Sequence, residues 1–398
     1  MPTKKVSKNF QFYVITLITL TSVLGITSVP PAFPAIAEYF NVPINKIGIL
    51  MGVFTMPGII LTPIFGFLAD KYSRQVILIP SLLIFAAAGF ACAFSNSFEM
   101  LLIFRTLQGV GTASLGSLNI SLIGDIFEKN QIGKYAGLNN MVLSFGTALF
   151  PVIGGVLTLI SWNTVFYLPL FSVLVVVFYI IAFKDTKSKS QNITIKKIVS
   201  GFKDKEFRKL SLFNILSYVL VIGSVFTYLP FHLKYNYNMT SKDTGIYLFI
   251  MSLAAAFSAI FLDKLIKAIS EKGILKLQFL IFAIVTLLIP FLTPTTIYIA
   301  VIFYGAAYGV SLPSMQYWIL QISNSENRAS FTSIHRAISQ LGQTIGPITF
   351  GFIASSLSLA NSVDEIFYFG AGLALFSLIL SIFILTNNSN INKGVSNV

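Results

Sequence analysis

Long apolar stretches alternate with short polar connections along the whole chain. Each stretch has roughly 18 to 28 residues, which is enough for an α-helix to cross about 30 Å of hydrocarbon. The predicted helices cover residues 12–36, 47–68, 76–95, 98–126, 135–160, 164–183, 210–231, 245–262, 273–292, 295–320, 331–358 and 365–386. The pattern therefore predicts an all-α polytopic membrane protein with twelve transmembrane helices.

One polar segment is much longer than the other connections. Residues 184–209 are rich in Lys and Ser and separate the first six apolar stretches from the last six. We interpret this segment as a cytoplasmic linker between an N-terminal half, residues 1–183, and a C-terminal half, residues 210–398.

The two halves repeat several features in the same order, about 195 residues apart. The repeated features are Asn41 and Gly48 with Asn238 and Gly245, Asp70-Lys71 with Asp263-Lys264, and Gly146 and Pro151 with Gly342 and Pro347. A parallel repeat of six helices is a transporter architecture, with the substrate bound near the midplane between the halves. We therefore expect two pseudo-symmetric six-helix bundles.

The charge of the chain follows this topology. Charged residues make up 10% of the sequence, against about 25% in soluble domains. With the N-terminus in the cytoplasm, 23 of the 27 Lys and Arg residues fall on the cytoplasmic side and 3 on the outer side. This bias predicts a multi-pass protein of the plasma (inner) membrane with both termini cytoplasmic. It also accounts for the net charge of +13 without nucleic acid as a partner.

The residue inventory excludes several kinds of chemistry. The chain has one Cys and two His residues, and it contains no nucleotide-binding, metal-binding or catalytic motif. We therefore expect no enzyme activity, no cofactor, no metal and no direct use of ATP. The expected partners are a small-molecule substrate, protons and the lipid bilayer, with the chain acting as a monomer.

Three charges are concentrated in the short turn GFLADKYSRQ, residues 66–75. Gly66 would let two helices approach closely. A buried Arg74 needs a carboxylate, and Asp125 is the nearest candidate along the predicted cytoplasmic side. Asp70 would face the partial positive charge at the start of the eleventh helix, around Ser330 to Ser333. These groups predict a charge latch that holds the cytoplasmic side closed in one conformation.

This turn resembles the signature of the major facilitator superfamily. The matching residues are Gly66, Leu68, Ala69, Asp70, Lys71 and Arg74, whereas Ser73 and Gln75 replace a Gly and a basic residue. The resemblance implies the major facilitator fold, which agrees with the twelve predicted helices.

Two further motifs resemble those of twelve-helix drug:proton antiporters. RTLQGVGTAS in the fourth helix matches through Arg105, Gln108, Gly109 and Gly111, and the fifth helix matches through Gly137, Gly146, Pro151, Gly154 and Gly155. Phe150 stands where the fifth-helix motif has Gly. The resemblance implies proton-coupled export. We expect the small face of the fifth helix to pack on the eighth helix or the eleventh-to-twelfth region of the other half, with Gly154→Val blocking that approach.

Charged groups inside the predicted helices are candidates for coupling. A charge near the centre of a membrane helix costs about 2.5–3.5 kcal/mol, so Arg105 points to a function. The resemblance implies that it transfers protons, with Gln108, or holds the first helix; the alternative is that it snorkels to the outer headgroups. The first helix has no acidic residue within 12–36. His335 is a further candidate proton carrier, with a purely interfacial role as the alternative.

Polar and aromatic side chains within the helices predict an apolar cavity with amides and phenols. The candidate cavity residues are Asn140, Asn214, Tyr218, Tyr304, Tyr308 and Gln340. Such a cavity suits neutral or amphiphilic solutes. The sequence thus favours proton-coupled efflux of lipophilic or amphiphilic molecules by alternating access. An exporter of a specific metabolite or sugar is the alternative, followed by a lipid flippase.

Overall fold

The described part of the chain forms twelve helical spans in an antiparallel series. The computed structural model describes residues 7–183, 204–323, 328–356 and 363–386. The spans consist of Lys8–Thr27 with Phe33–Tyr39, Ile44–Lys71, Arg74–Cys92, Phe98–Thr112 with Leu115–Ile126, Lys129–Thr158, Thr164–Leu170 with Phe171–Ala182, Lys205–Leu220 with Val221–Phe226 and Thr227–Tyr237, Ser241–Ala259, Leu262–Leu288, Pro294–Ile322, Arg328–Ser356, and Asp364–Thr386. Most of the predicted linker lies outside the described residues.

The twelve spans differ in how apolar they are. Within the described residues, nine spans are long and apolar enough to cross a membrane by length and composition alone. The other three are the fourth, eighth and eleventh spans. The fourth is interrupted at Ala113 and Ser114, and the eleventh carries several polar residues between Arg328 and Gln343. Spans with buried or interfacial polar side chains therefore have lower mean hydropathy, and hydropathy alone identifies them less readily as membrane-spanning.

Local capping fixes where several spans begin. The Ser73 hydroxyl accepts a hydrogen bond from the Val76 amide, so it caps the third span. This is the position where the superfamily signature has Gly. Ser97 caps the fourth span in the same way, and Thr240 forms a reciprocal capping box with Asp243 at the eighth. The replacement at Ser73 therefore supports the turn by starting the next helix.

Three spans depart from a straight α-helix. The first bends through a 3₁₀ turn at Pro30–Ala32, and the seventh widens into a π-helix over Val221–Phe226. The ninth is kinked at Ser270, whose φ of 62° and ψ of 166° divide a short leading helix from the span itself. The sequence pattern predicts a connection before residue 273, whereas the chain is helical from Leu262.

The internal repeat is visible in the backbone. Asn41 and Asn238, which precede the second and eighth spans, both adopt a left-handed conformation, with φ of 49° and 52°. Asn is one of the residues that tolerates this conformation. We call the end of the molecule that carries both residues the Asn41 end, and the opposite end, at the turn after the second span, the Asp70 end.

Candidate functional site

The two bundles meet along two seams. In one seam the second span packs on the eleventh, and in the other the fifth span packs on the eighth. Each seam joins a span of the first bundle to a span of the second. The seams therefore define the interface at which a transporter of this fold would bind its substrate.

Four glycines bring backbones together at the Asn41 end of the seams. A Cβ added to Gly48 would lie 2.0 Å from the Pro347 carbonyl oxygen, and one added to Gly245 would lie 2.5 Å from the Pro151 carbonyl oxygen. The two contacts are related by the repeat. The same holds for Gly351 against the Asn45 carbonyl oxygen, 2.3 Å, and for Gly155 against the Ser241 carbonyl oxygen, 2.3 Å. The interface is closed by direct backbone contact at this end.

The glycines at the Asp70 end make no comparable backbone contacts with the described residues. A Cβ on Gly66, Gly116, Gly124, Gly133 or Gly137 would meet no atom of the described residues within 4 Å. Among those residues, the close helix approach predicted at Gly66 does not occur in this conformation. Side-chain hydrogen bonds between described residues still cross the interface on the way to this end. The hydroxyls of Thr55 and Thr344 lie 2.8 Å apart. Thr62 donates to Gln340 Oε1 at 3.2 Å, and Arg336 Nη1 donates to the Gly116 carbonyl oxygen at 2.8 Å.

The small residues of the fifth span divide between two partners. Gly155 and the Pro151 carbonyl contact the eighth span, one of the two alternatives predicted for this face. Gly154 instead faces the Ser28 carbonyl oxygen, and Gly146 faces Leu20, both in the first span. The prediction was therefore wrong for these two glycines, because they lie on the side of the helix turned to their own bundle.

Arg74 and Asp125 form a two-contact ion pair. Arg74 Nε lies 2.5 Å from Asp125 Oδ2, and its Nη2 donates to Oδ1 at 3.1 Å. Both residues belong to the first bundle, so the pair ties the third span to the fourth without crossing the interface. The pair exists while the Asn41 end is closed. The predicted contact of Asp70 with Ser330 to Ser333 involves side chains outside those that the structure describes.

Arg105 is fully buried in the first bundle. Its Nη1 donates to the Gly25 carbonyl oxygen at 3.1 Å and to Gln108 Oε1 at 2.9 Å, and its guanidinium lies 4.1 Å from the centre of the Phe54 ring. This geometry excludes snorkelling to the headgroups. It places Arg105 where it holds the first span to the fourth and the second.

Several donor nitrogens on these two side chains have no hydrogen-bond partner in the described part of the chain. They are Arg105 Nε, Arg105 Nη2 and Gln108 Nε2. Buried donors without partners are costly, so the site holds a guanidinium that is only partly satisfied in this conformation.

The predicted cavity residues lie mostly in the second bundle. Tyr218 and Tyr308 are half-buried, with ring centres 6.3 Å apart. Asn214 is buried against the eleventh span, and Tyr304 is buried with its ring stacked on Phe282 at 4.0 Å. Asn214 and Tyr304 therefore line no accessible space in this conformation.

The remaining two cavity candidates lie at the seams. Gln340 is half-buried against Gly58 and Thr62 of the second span. Asn140 is exposed and precedes Pro151 by 11 residues, about three helical turns, so it shares the face that reaches the eighth span. These two amides are the candidates that face the opposite bundle.

A small cavity of about 50 Å³ lies at the Asn41 end between the first and seventh spans. Glu38 and Lys234 line it from opposite bundles, together with Pro31, Pro34, Ala35, Pro230, Met239, Ser241 and Thr244. Drug-sized ligands need about 300 Å³ or more. This cavity is therefore part of the closed end of the interface and not the substrate site.

Two six-helix bundles related by a repeat, with an interface between them, are an architecture typical of transporters. The sequence profile described as Major Facilitator Superfamily matches residues 15–303 and 279–396. The chain belongs to this superfamily, and it is therefore a transporter and not an enzyme.

Curated relatives extend over nearly the whole chain. The tetracycline resistance protein, class H, of Pasteurella multocida is 25% identical over 87% of this chain and 90% of its own length. The quinolone resistance protein NorA of Staphylococcus aureus is 25% identical over 86% and 89%, respectively. The bacillibactin exporter of Bacillus subtilis is 26% identical over 93% and 94%.

Solved transporters share the fold at low sequence identity. The nucleoside transporter NupG gives a TM-score of 0.80 at 13% identity, covering 96% of this chain and 100% of that one. A bacterial homolog of the human lysosomal transporter Spinster, in an inward-facing and unoccupied conformation, gives 0.78 at 16% identity, covering 95% of each chain. These likenesses show the fold alone. The superfamily and the curated relatives indicate a multi-pass membrane transporter of a small molecule.

Proposed function

We propose that the protein exports lipophilic or amphiphilic small molecules from the cytoplasm in exchange for protons. The observation that carries the proposal is the repeat-related pair of seams. Backbone contacts close them at the glycines of the Asn41 end, whereas the glycines of the Asp70 end have no such contact with the described residues. Such an interface suits alternating access, in which the bundles rock about a central site. The resistance proteins and the exporter among the relatives support export as the direction.

In this account the Asp70 end faces the cytoplasm. The bias of Lys and Arg supports that orientation, with both termini cytoplasmic and the chain in the plasma (inner) membrane. The conformation is then closed to the outside. We expect the protein to act as a monomer that binds protons and one substrate molecule and does not bind nucleic acid.

The buried charges favour a substrate without a fixed positive charge. Among side chains that the structure describes, the buried basic groups are Arg74, Arg105, His232 and His335, and no Asp or Glu is buried. An organic cation would lack a carboxylate to pair with in this environment. Neutral amphiphiles fit it better. The bacillibactin exporter among the relatives supports a specific metabolite as the alternative cargo.

Everted membrane vesicles test the proposed function. With an acidic lumen, we expect vesicles that contain the protein to accumulate the neutral dye N-phenyl-1-naphthylamine, and nigericin to abolish the accumulation by collapsing the pH gradient. Ethidium, a permanent cation, should not accumulate. Vesicles without the protein provide the control. Dye uptake equal to that control, or uptake unaffected by nigericin, would contradict proton-coupled efflux of such molecules.

Asp70→Asn tests the proposed charge latch at the Asp70 end. The substitution removes the carboxylate charge but keeps the size, so we expect dye accumulation to fall by about 10-fold, as for the loss of one charged hydrogen bond. The amount of protein in the membrane should not change. Lys71→Gln is the matched control, because Lys71 is predicted to act only in topology. Full transport by Asp70→Asn would show that no latch depends on this carboxylate.

A further inference from the structure

A buried polar contact occupies repeat-related positions in the two bundles. In the first bundle the Thr19 hydroxyl, on the first span, donates to Asn139 Oδ1 on the fifth at 2.7 Å. In the second bundle Asn214 Nδ2, on the seventh span, lies 3.3 Å from His335 Nδ1 on the eleventh. Asn214 and His335 follow Thr19 and Asn139 by about 195 residues. Of the two contacts, only the second contains an imidazole, a group that can bind and release a proton.

Asn214 can serve either protonation state of His335. Its Nδ2 also donates to Ser339 Oγ at 2.9 Å, and its Oδ1 is buried without a hydrogen-bond partner in the described residues. A neutral imidazole with a bare Nδ1 accepts from the amide nitrogen, whereas a protonated ring donates and needs an acceptor. Rotation of the Asn214 amide would present Oδ1 to the protonated ring. The contact therefore holds an unused acceptor at the atom that gains the proton.

The neighbouring residue connects His335 to the opposite bundle. Arg336 Nη1 donates to the carbonyl oxygen of Gly116, across the interface, at 2.8 Å. Arg336 is the charged group that faces His335 among the described residues, and Tyr218 lies beside Arg336. A positive charge on the ring would repel the guanidinium that makes this cross-bundle bond.

The other basic groups buried in the described spans are placed differently. Arg105 keeps its proton at physiological pH. Arg74 is paired with Asp125 inside the first bundle. His232 lies at the Asn41 end, where its Nδ1 is 3.0 Å from Asp364 Oδ1 on the twelfth span of the same bundle. His335 is thus the titratable group that combines burial with a direct neighbour bonded across the interface.

We propose that His335 carries the exchanged proton and that its charge controls the Arg336–Gly116 contact. The proposal rests on the proton coupling proposed above. Proton uptake at Nδ1 turns the ring from acceptor to donor, the Asn214 amide reverses, and Arg336 moves away from the Gly116 carbonyl. Proton release to water at the Asp70 end restores the contact. Protonation is thereby linked to the separation of the eleventh span from the fourth.

Histidine NMR tests the titration without any substrate. The chain has two His residues, so a His232→Gln variant labelled with ¹⁵N-histidine reports on His335 alone. We expect one protonation step between about pH 4 and 8. Asn214→Leu, which removes both hydrogen-bonding groups, should shift the midpoint. A ring that keeps one protonation state throughout, or a midpoint insensitive to Asn214→Leu, would overturn the proposal.

Distance measurements test the link to conformation. Spin labels at Gln131 and Ile260, both exposed at the Asp70 ends of the fifth and eighth spans, would report opening in a Cys92→Ser background. We expect the distance to lengthen as the pH falls in the otherwise unchanged protein and in His232→Gln, the matched control. It should not respond to pH in His335→Gln. Retention of the response by His335→Gln would contradict the proposal.

Arg336→Gln separates the two steps. The ring of His335 should still titrate in the NMR experiment, while the distance at the Asp70 end no longer follows pH. A pH-dependent distance in this variant would show that Arg336 does not transmit the charge. Dye accumulation in vesicles distinguishes the role of His335 from the proposed function. If vesicles with His335→Gln still accumulate dye in response to the pH gradient, the inference about His335 alone is overturned. If dye accumulation by vesicles with the unmodified protein does not depend on the pH gradient, the proposed function is overturned.

Discussion

Arg105→Met should reduce transport by about 100-fold, the effect expected for losing a charged hydrogen-bonding group worth about 3 kcal/mol, without lowering stability. Arg105 holds the first span through the Gly25 carbonyl and the second through the Phe54 ring. It also retains donors without partners in the described part of the chain. Methionine fills similar space without burying a charge, and the desolvation cost that this removes offsets the hydrogen bonds that are lost.

Loss of transport without loss of stability would distinguish a role of Arg105 in transport from a purely structural one. Thermal unfolding in detergent and dye accumulation in everted vesicles would be measured on the same preparation. A purely structural Arg105 predicts that transport and melting temperature fall together. Active transport by a stable Arg105→Met protein would show that the buried charge has no part in the cycle.

Gly48→Val should disfavour the conformation that is closed at the Asn41 end. The new side chain would meet the Pro347 carbonyl oxygen, 2.0 Å from its Cβ. Overpacking of this kind costs about 1–3 kcal/mol, which changes the balance of two conformations by about 5- to 150-fold. Gly245→Val should act in the same direction through the Pro151 carbonyl, because the repeat relates the two contacts.

Spin labels at Tyr39 and Tyr235 provide the readout. Both side chains are exposed at the Asn41 end, on the first and seventh spans, and their separation should lengthen in Gly48→Val. Gly372→Val is the matched control, because a Cβ at Gly372 meets no atom within 4 Å. An unchanged distance in Gly48→Val would show that the contact between Gly48 and Pro347 does not hold the Asn41 end closed.

Gly154→Val should instead prevent folding of the first bundle, since its Cβ would lie 1.8 Å from the Ser28 carbonyl oxygen.

The sequence was sufficient for the fold because the membrane imposes a length and a polarity on every span. Hydropathy predicted the twelve spans, and repeated residues such as Asn41 and Asn238 predicted the two pseudo-symmetric bundles. The ninth span is the exception, because its start depends on a kink at Ser270. Such a kink comes from backbone geometry, for which the hydrophobic pattern gives no signal.

The candidate site was less accessible to prediction. Spacing in the sequence identified the small residues of the fifth span but not the direction in which each one points. Gly154 and Gly155 are adjacent, yet they face different bundles, because consecutive helical residues differ by about 100°. In the same way, the sequence indicated Asn214 and His335 separately. Their contact depends on how the seventh and eleventh spans pack, which a single sequence does not encode in any local pattern.

Alternating access is the central claim, and simultaneous distance measurements at both ends test it most directly. The label pairs would be Tyr39 with Tyr235 at the Asn41 end and Gln131 with Ile260 at the Asp70 end, measured in lipid under the same set of pH values. We expect every condition that lengthens one distance to shorten the other. Two distances that lengthen together, or an Asn41-end distance that never changes, would contradict the account.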